Sequence, residues 1–166
     1  MLRLFGELKE SITDGPGLRY TIFTQGCPHY CPGCHNPESH SFTEGYLARE
    51  EDVIRAIFAN PLLDGVTFSG GEPFMQASEL AVIAAAVKEK GLSVIVFSGY
   101  TYEELMDLST ERIGYRTLLE NTNVLIDGRY EVKNKSLNLR FRGSSNQRAI
   151  DVPASLATGQ VVLYPL

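Results

Sequence analysis

Three cysteines stand within eight residues of one another, in Cys27-Pro28-His29-Tyr30-Cys31-Pro32-Gly33-Cys34, and the chain has no other cysteine. Three thiolates on one loop can hold a metal centre that keeps a coordination position open. Iron–sulfur clusters and closed zinc sites normally take four protein ligands. A cube of iron and sulfide on Cys27, Cys31 and Cys34 would therefore leave one iron free to bind a substrate. The alternative is zinc, with His29, His35 or His40 as the fourth ligand. Structural zinc loops usually come as two separated pairs, and no second pair exists here. An odd count on one loop also argues against a disulfide framework. Pro28, Pro32 and Gly33 suit a tight turn that brings backbone close to an inorganic core.

A second segment with chemical potential is Gly70-Gly71-Glu72-Pro73. Glycines let backbone carbonyls approach a ligand ammonium group, and Glu72 can complement positive charge there. On its own the pattern reads as a turn. Its place after an apolar run and downstream of the cysteines gives it weight. Further along, Arg140, Arg142 and Arg148 make a local basic patch. It suits a partner's backbone or carboxylates, or a cofactor carboxylate. The competing reading of Arg142 to Asp151 is a solvated loop with helix-capping residues. His40 reads as an exposed loop residue, and His29 as a side chain that packs or hydrogen-bonds near the cysteines.

The elements that must position these residues follow a rhythm of strand, loop and helix. Leu18 to Gly26 is β-branched and aromatic and runs straight into the cysteine loop, after the turn residues Asp14-Gly15-Pro16-Gly17. Val53, Ile54, Ile57 and Phe58 mark one face of a helix over Glu50 to Ala59. Gly65 to Ser69 is a short strand, and Ser78 to Lys90 the clearest helix, with Gly91 as its C-terminal cap. Leu92 to Phe97 is the next strand, followed by a capping box at Thr101-Tyr102-Glu103-Glu104 and a helix near Arg116 to Glu120. Asn123 to Gly128 is a fourth strand, and Val161 to Tyr164 a candidate for the last. This order predicts an α/β fold of parallel strands joined by crossover helices. The cysteine loop, Gly70-Gly71-Glu72, Ser98-Gly99-Tyr100 and Asp127-Gly128 would then share the edge at the strands' C-terminal ends, where ligands bind in such folds.

The 166 residues fit one domain, 1–166, with a proper core. A net charge of -5 speaks against a broad electrostatic grip on nucleic acid or anionic membrane. No apolar run has the length of a membrane span, and Met1 to Glu7 lacks the core of a signal peptide, so the expected location is the cytoplasm.

Cys27-x-x-x-Cys31-x-x-Cys34, followed by Gly70-Gly71-Glu72-Pro73 after the next strand, resembles the radical S-adenosylmethionine superfamily. The resemblance implies an incomplete (partial) β/α barrel and a 4Fe-4S cluster on the three cysteines. It also implies S-adenosyl-L-methionine bound at the open iron, where one electron cleaves the sulfonium to a 5′-deoxyadenosyl radical and methionine. Carried over residue by residue, it puts Gly33, Cys34, His35, Asn36, Gly70, Gly71, Glu72 and Ser98 at the cofactor. Gly33 stands where the superfamily usually has an aromatic residue. Asp14 to Arg19 is similar to the entry segment of glycyl-radical-enzyme activases. Arg142 to Asp151, with Val124 to Gly128 upstream, resembles the activases of anaerobic ribonucleoside-triphosphate reductase, although Arg129 and Ser98 replace the common proline and threonine. That implies a reductase as protein substrate, a one-electron donor such as flavodoxin, and a partner-facing role for Asp14, Arg19, Arg142, Asn146 and Arg148. A small-molecule enzyme of the superfamily, such as one forming a deazapurine carboxylate, and a non-catalytic zinc module are the alternatives.

Overall fold

Leu2 and Leu4 are fully buried while Phe5 and Leu8 are exposed, the signature of a strand with one covered face. In a computed structural model describing residues 1–166, Leu2–Ser11 is strand β1. Sequence pattern does not announce it, because register shifts around Leu4/Gly6 and Leu8/Ser11 break its period of two. β1 runs antiparallel to β2 (Arg19–Thr24) and to the short edge strand β3 (Tyr46–Ala48). Helix α1 (Glu50–Phe58) leads to β4 (Gly65–Gly70). A 3-10 turn over Pro73–Gln76 and helix α2 (Ala77–Glu89) lead to β5 (Ser93–Phe97). Helices α3 (Tyr102–Leu108) and α4 (Ile113–Glu120) precede β6 (Val124–Asp127), and β7 (Arg148–Asp151) precedes α5 (Val152–Thr158).

The sheet order is β3-β1-β2-β4-β5-β6-β7. Its centre, β2-β4-β5-β6, is parallel as the strand–helix rhythm predicts, and the sheet does not close into a barrel. The three outer strands are antiparallel. The last strand is β7, inside the segment expected to be a loop or partner surface. Val161 to Tyr164 contributes one bridge, Ile150 to Leu163, beside it.

Local signals act where expected. Thr101 and Glu104 form a complete capping box on α3. Past α2, Gly91 has φ +80° and its N–H bonds Lys88 O, while Leu92 N–H bonds Val87 O, a Schellman stop.

The two faces of the sheet are filled unequally. On the helix side, Tyr20, Ile22, Val66, Phe68, Val94 and Val96 pack with Leu80, Ile83, Ala84 and Val87 in a continuous core. The other side holds only Ile95, Val124, Ile126 and Ala149, with Phe97 and Leu166 against them. That face leaves room for a cavity.

Arg19 plugs the lower part of this second face. It is 1% exposed. Its Nε donates to Thr67 Oγ1 (2.8 Å), Nη2 to Val66 O (2.7 Å) and Ser93 O (3.1 Å), and Nη1 to Pro16 O and Ser93 Oγ. Desolvation pulls its guanidinium down to about 10. This corrects the partner-facing expectation for Arg19: its donors are spent stitching β2, β4 and β5 together. Replacing it by Met would strand several buried acceptors, so Arg19→Met should lose about 3 kcal/mol of stability in urea unfolding. A loss below about 1 kcal/mol would mean that the stitches are dispensable.

Candidate metal and cofactor site

A cavity of about 470 Å³ opens at the C-terminal ends of the parallel strands, within the usual range for a small-molecule site. Its wall brings together Cys27, Cys31 and Cys34 with Gly70, Gly71, Ser98 and Gly99, as the strand order predicts. Phe23, Phe97 and Ile126 give it an apolar floor.

The cysteine loop is fixed at its base. Gly26 N–H donates to Ser39 O (2.7 Å) and Cys27 N–H to His40 O (3.1 Å). Cys34 N–H returns to Cys31 O (3.0 Å). All three cysteines are free; Cys27 is buried, while Cys31 and Cys34 are half-buried. Burial pushes the Cys27 thiol up to about 11. A metal centre that binds thiolate offsets that desolvation. The donor set therefore fits an iron–sulfur core: three free sulfurs on one wall, beside space for a ligand.

The glycine turn is built for close approach. Gly70 has φ +93°, and a Cβ on Gly71 would lie 2.3 Å from Gly26 O. Gly71 N–H bonds Thr24 O (2.7 Å), and Glu72 N–H bonds Gly26 O (2.8 Å). The turn is thus tied to the strand that feeds the cysteines.

Glu72 departs from expectation. It has no exposed surface and lies outside the cavity wall. Its Oε1 accepts from Phe74 N–H (3.0 Å) and Ser98 Oγ (2.9 Å). Its Oε2 accepts from Gly99 N–H (2.8 Å), Ser98 Oγ (3.0 Å) and His29 Nε2 (2.7 Å). The carboxylate thus joins the cysteine loop, the β4 turn and the β5 loop. The sequence hint was weak: His29 lies two residues from Cys27, and only Gly99 leaves room for its ring. Gly33 is not among the wall residues; it has φ +76°, and a Cβ there would strike Val132 at 2.4 Å.

His35 and Asn36 line the cavity, with the His35 ring 4.9 Å from that of Tyr130. His40 lines it too, half-buried rather than exposed, with its ring 5.0 Å from that of Tyr30. No group of three His, Cys, Asp or Glu side chains converges as a single metal ion requires.

The basic residues of the C-terminal segment separate in space. Arg148 donates to Asp127 Oδ1 (3.1 Å) and Oδ2 (2.5 Å) and to both oxygens of Glu103, so its charge is compensated. Arg140 is exposed, lying over Phe141. Arg142 reaches the cavity wall, and so does Asp14, which also accepts from Ser11 Oγ (2.5 Å). Of the residues expected to face a partner, only Asn146 lies fully in the open; its Nδ2 donates to Arg129 O (2.8 Å).

The 4Fe-4S single cluster domain family matches residues 13–150. The anaerobic ribonucleoside-triphosphate reductase-activating protein of Vibrio cholerae is 33% identical, over 82% of this chain and 89% of its own. That of Haemophilus influenzae is 34% identical, and that of Escherichia coli K12 30%, each over 82% of this chain and at least 89% of its own. The chain belongs to the family of anaerobic ribonucleoside-triphosphate reductase-activating proteins. An iron–sulfur cluster is the cofactor of a single-cluster 4Fe-4S domain, and the three free cysteines are equipped for it. Among solved structures, Escherichia coli QueE aligns over 80% of this chain and 73% of its own, at a TM-score of 0.49 and 16% identity. No helix is long and apolar enough to cross a membrane.

Two expectations follow. Glu72→Gln keeps the volume but sets a donor against donors, so it should cost about 1–3 kcal/mol of stability. Unchanged unfolding would show that the carboxylate does not fix the three loops. The second concerns pH. Arg129 holds the Glu104 carboxyl down at about 2, and Arg148 holds Glu103 below its ordinary value. Depressed carboxylates stabilise the fold above the unfolded value near 4.5 and lose that contribution as pH falls towards 2. Melting temperature should decline across that window, and Arg129→Met should flatten the decline.

Proposed function

We propose that this chain is the activating enzyme of an anaerobic ribonucleoside-triphosphate reductase. It holds one 4Fe-4S cluster through Cys27, Cys31 and Cys34 and takes S-adenosyl-L-methionine in the same cavity. One observation carries this reading: the three free cysteines and the Gly70-Gly71 turn face a single cavity at the C-terminal edge of the parallel strands. Relatives named as reductase-activating proteins, matched over 89% of their own length, support a reductase as the protein substrate.

Cys27, Cys31 and Cys34 would hold the cluster, which would supply the one-electron reduction of a sulfonium and so the hydrogen-atom abstraction chemistry that a glycyl radical on the reductase requires. The chain's own residues do the rest by position. Gly70 and Gly71 stand on the cavity wall, and in this reading their backbone carbonyls accept from the ammonium group. Phe23, Phe97 and Ile126 keep the floor dry, which protects a radical from water. His35, beside Tyr130, offers an aromatic face to adenine. Glu72 sets the spacing of these walls. In this reading the electron comes from an external donor such as flavodoxin, and the protein works in the cytoplasm.

Anaerobic reconstitution tests the proposal. About four irons per chain and an electron paramagnetic resonance signal that shifts on adding S-adenosyl-L-methionine are expected. With reductase present, a glycyl-radical doublet should appear on the reductase. Cys34→Ala should lose both cluster and radical. A colourless protein with stoichiometric zinc would overturn the reading, as would radical formation that survives loss of a cysteine.

A further inference from the structure

Three arginines of the C-terminal half lie close to the strand ends, and two of them are neutralised. Arg129 pairs with Glu104 (2.8 Å), and Arg148 with Glu103 and Asp127. Arg142 has no carboxylate within ion-pair distance of its guanidinium. One bond engages it, from Nη1 to Gln147 O (3.3 Å). Its Nε is buried and has no acceptor. A buried guanidinium N–H without a partner is costly, and the fork of donors is shaped for a carboxylate.

The placement of Arg142 is enforced. Gln147 Oε1 accepts from Gly143 N–H (2.9 Å) and Ser144 N–H (3.1 Å), closing the turn, while its Nε2 donates to Gly128 O (3.0 Å). Ser144 is fully buried, and its Oγ accepts from Glu131 N–H (3.2 Å). Gly143 lies so close to Tyr130 that a Cβ would stand 3.0 Å from the ring. The turn is therefore strapped to the β6 exit loop, and Arg142 is presented to the wall that also carries Cys31, Cys34 and His35. It is the one lysine or arginine on that wall; the fixed negative charge is Asp14.

From this we infer that Arg142 is the anion clamp of the cavity and binds the α-carboxylate of S-adenosyl-L-methionine. The inference rests on the proposed function for the occupant. It follows from charge: the ligand carries a sulfonium, an ammonium and one carboxylate, and only the carboxylate can neutralise the guanidinium while accepting from its unpartnered Nε. It also gives the Arg142-Gly143-Ser144-Ser145-Asn146-Gln147 segment a task inside the protein, in place of a partner-facing one for Arg142.

The test is equilibrium binding to the reconstituted, cluster-loaded protein, with S-adenosyl-L-methionine and with 5′-methylthioadenosine, which keeps the adenosine but has no carboxylate. Arg142→Met should weaken S-adenosyl-L-methionine about 10- to 100-fold and move 5′-methylthioadenosine less than about twofold. Arg142→Lys should recover part of the loss, because it restores charge without the fork. Iron content equal to wild type shows that the turn has held. Equal weakening of both ligands would make Arg142 a structural strut and overturn the inference. So would unchanged affinity with a shifted cluster potential, which would assign its charge to the cluster. Failure of the wild-type protein itself to bind S-adenosyl-L-methionine would instead remove the activating-enzyme reading, and the clamp with it.

Discussion

A carboxylate with no exposed surface sits where the cysteine loop, the Gly70-Gly71 turn and the Ser98-Gly99 loop meet. Glu72 accepts from four groups on three segments that are far apart in sequence. An isolated buried carboxylate would be severely penalised, so its donors must be present and in register before the site closes. Dependence runs both ways. The loops need the carboxylate as their common acceptor, and the carboxylate needs all of the loops for its hydrogen bonds. Such a knot lets a cavity wall built of glycines and a thiol loop keep its shape without regular secondary structure.

The unequal filling of the sheet gives that knot something to hold open. Helices α1 to α5 cover one face, and their apolar side chains form a continuous buried core with it. The opposite face receives no helix. Below, Arg19 and the small cluster around Ile95 and Ile126 fill it; above, only loops rim it. A closed barrel would surround this space with strands and helices. Here β1 and β7 instead turn antiparallel at the sides, so the parallel centre keeps its ligand edge while the sheet ends early.

How much of this was legible in the sequence depended on the range of the interactions. Helix α2, its Schellman stop at Gly91 and the α3 capping box are local, and their residues announce them. The parallel centre was legible from the strand–helix order, and the candidate metal ligands from cysteine spacing. Strands β1 and β7 were not, because bulges broke the period of one and a polar, capping-rich composition disguised the other. Glu72 illustrates the limit best. Its type and place said that it mattered, but whether a carboxylate points into a cavity or away from it is set by donors 26 and 43 residues distant. Arg19 fails the same way, since its acceptors lie on β4 and β5.

The basic segment shows why composition cannot assign roles even when it finds the right residues. Arg140, Arg142 and Arg148 read as one patch in the sequence. In the fold, strand β7 turns Arg148 towards Asp127, whose 1% exposure obliges it to find a cation. The preceding turn, pinned by Gln147, points Arg142 the other way, into the cavity, and Arg140 stays outside over Phe141. Like charges so close in sequence are tolerable because the backbone separates their surroundings. One stabilises the sheet edge, one lies in solvent, and one faces a cavity whose sole fixed anion, Asp14, is already engaged by Ser11 and Thr21. The charge left over is the one that lies beside the thiols.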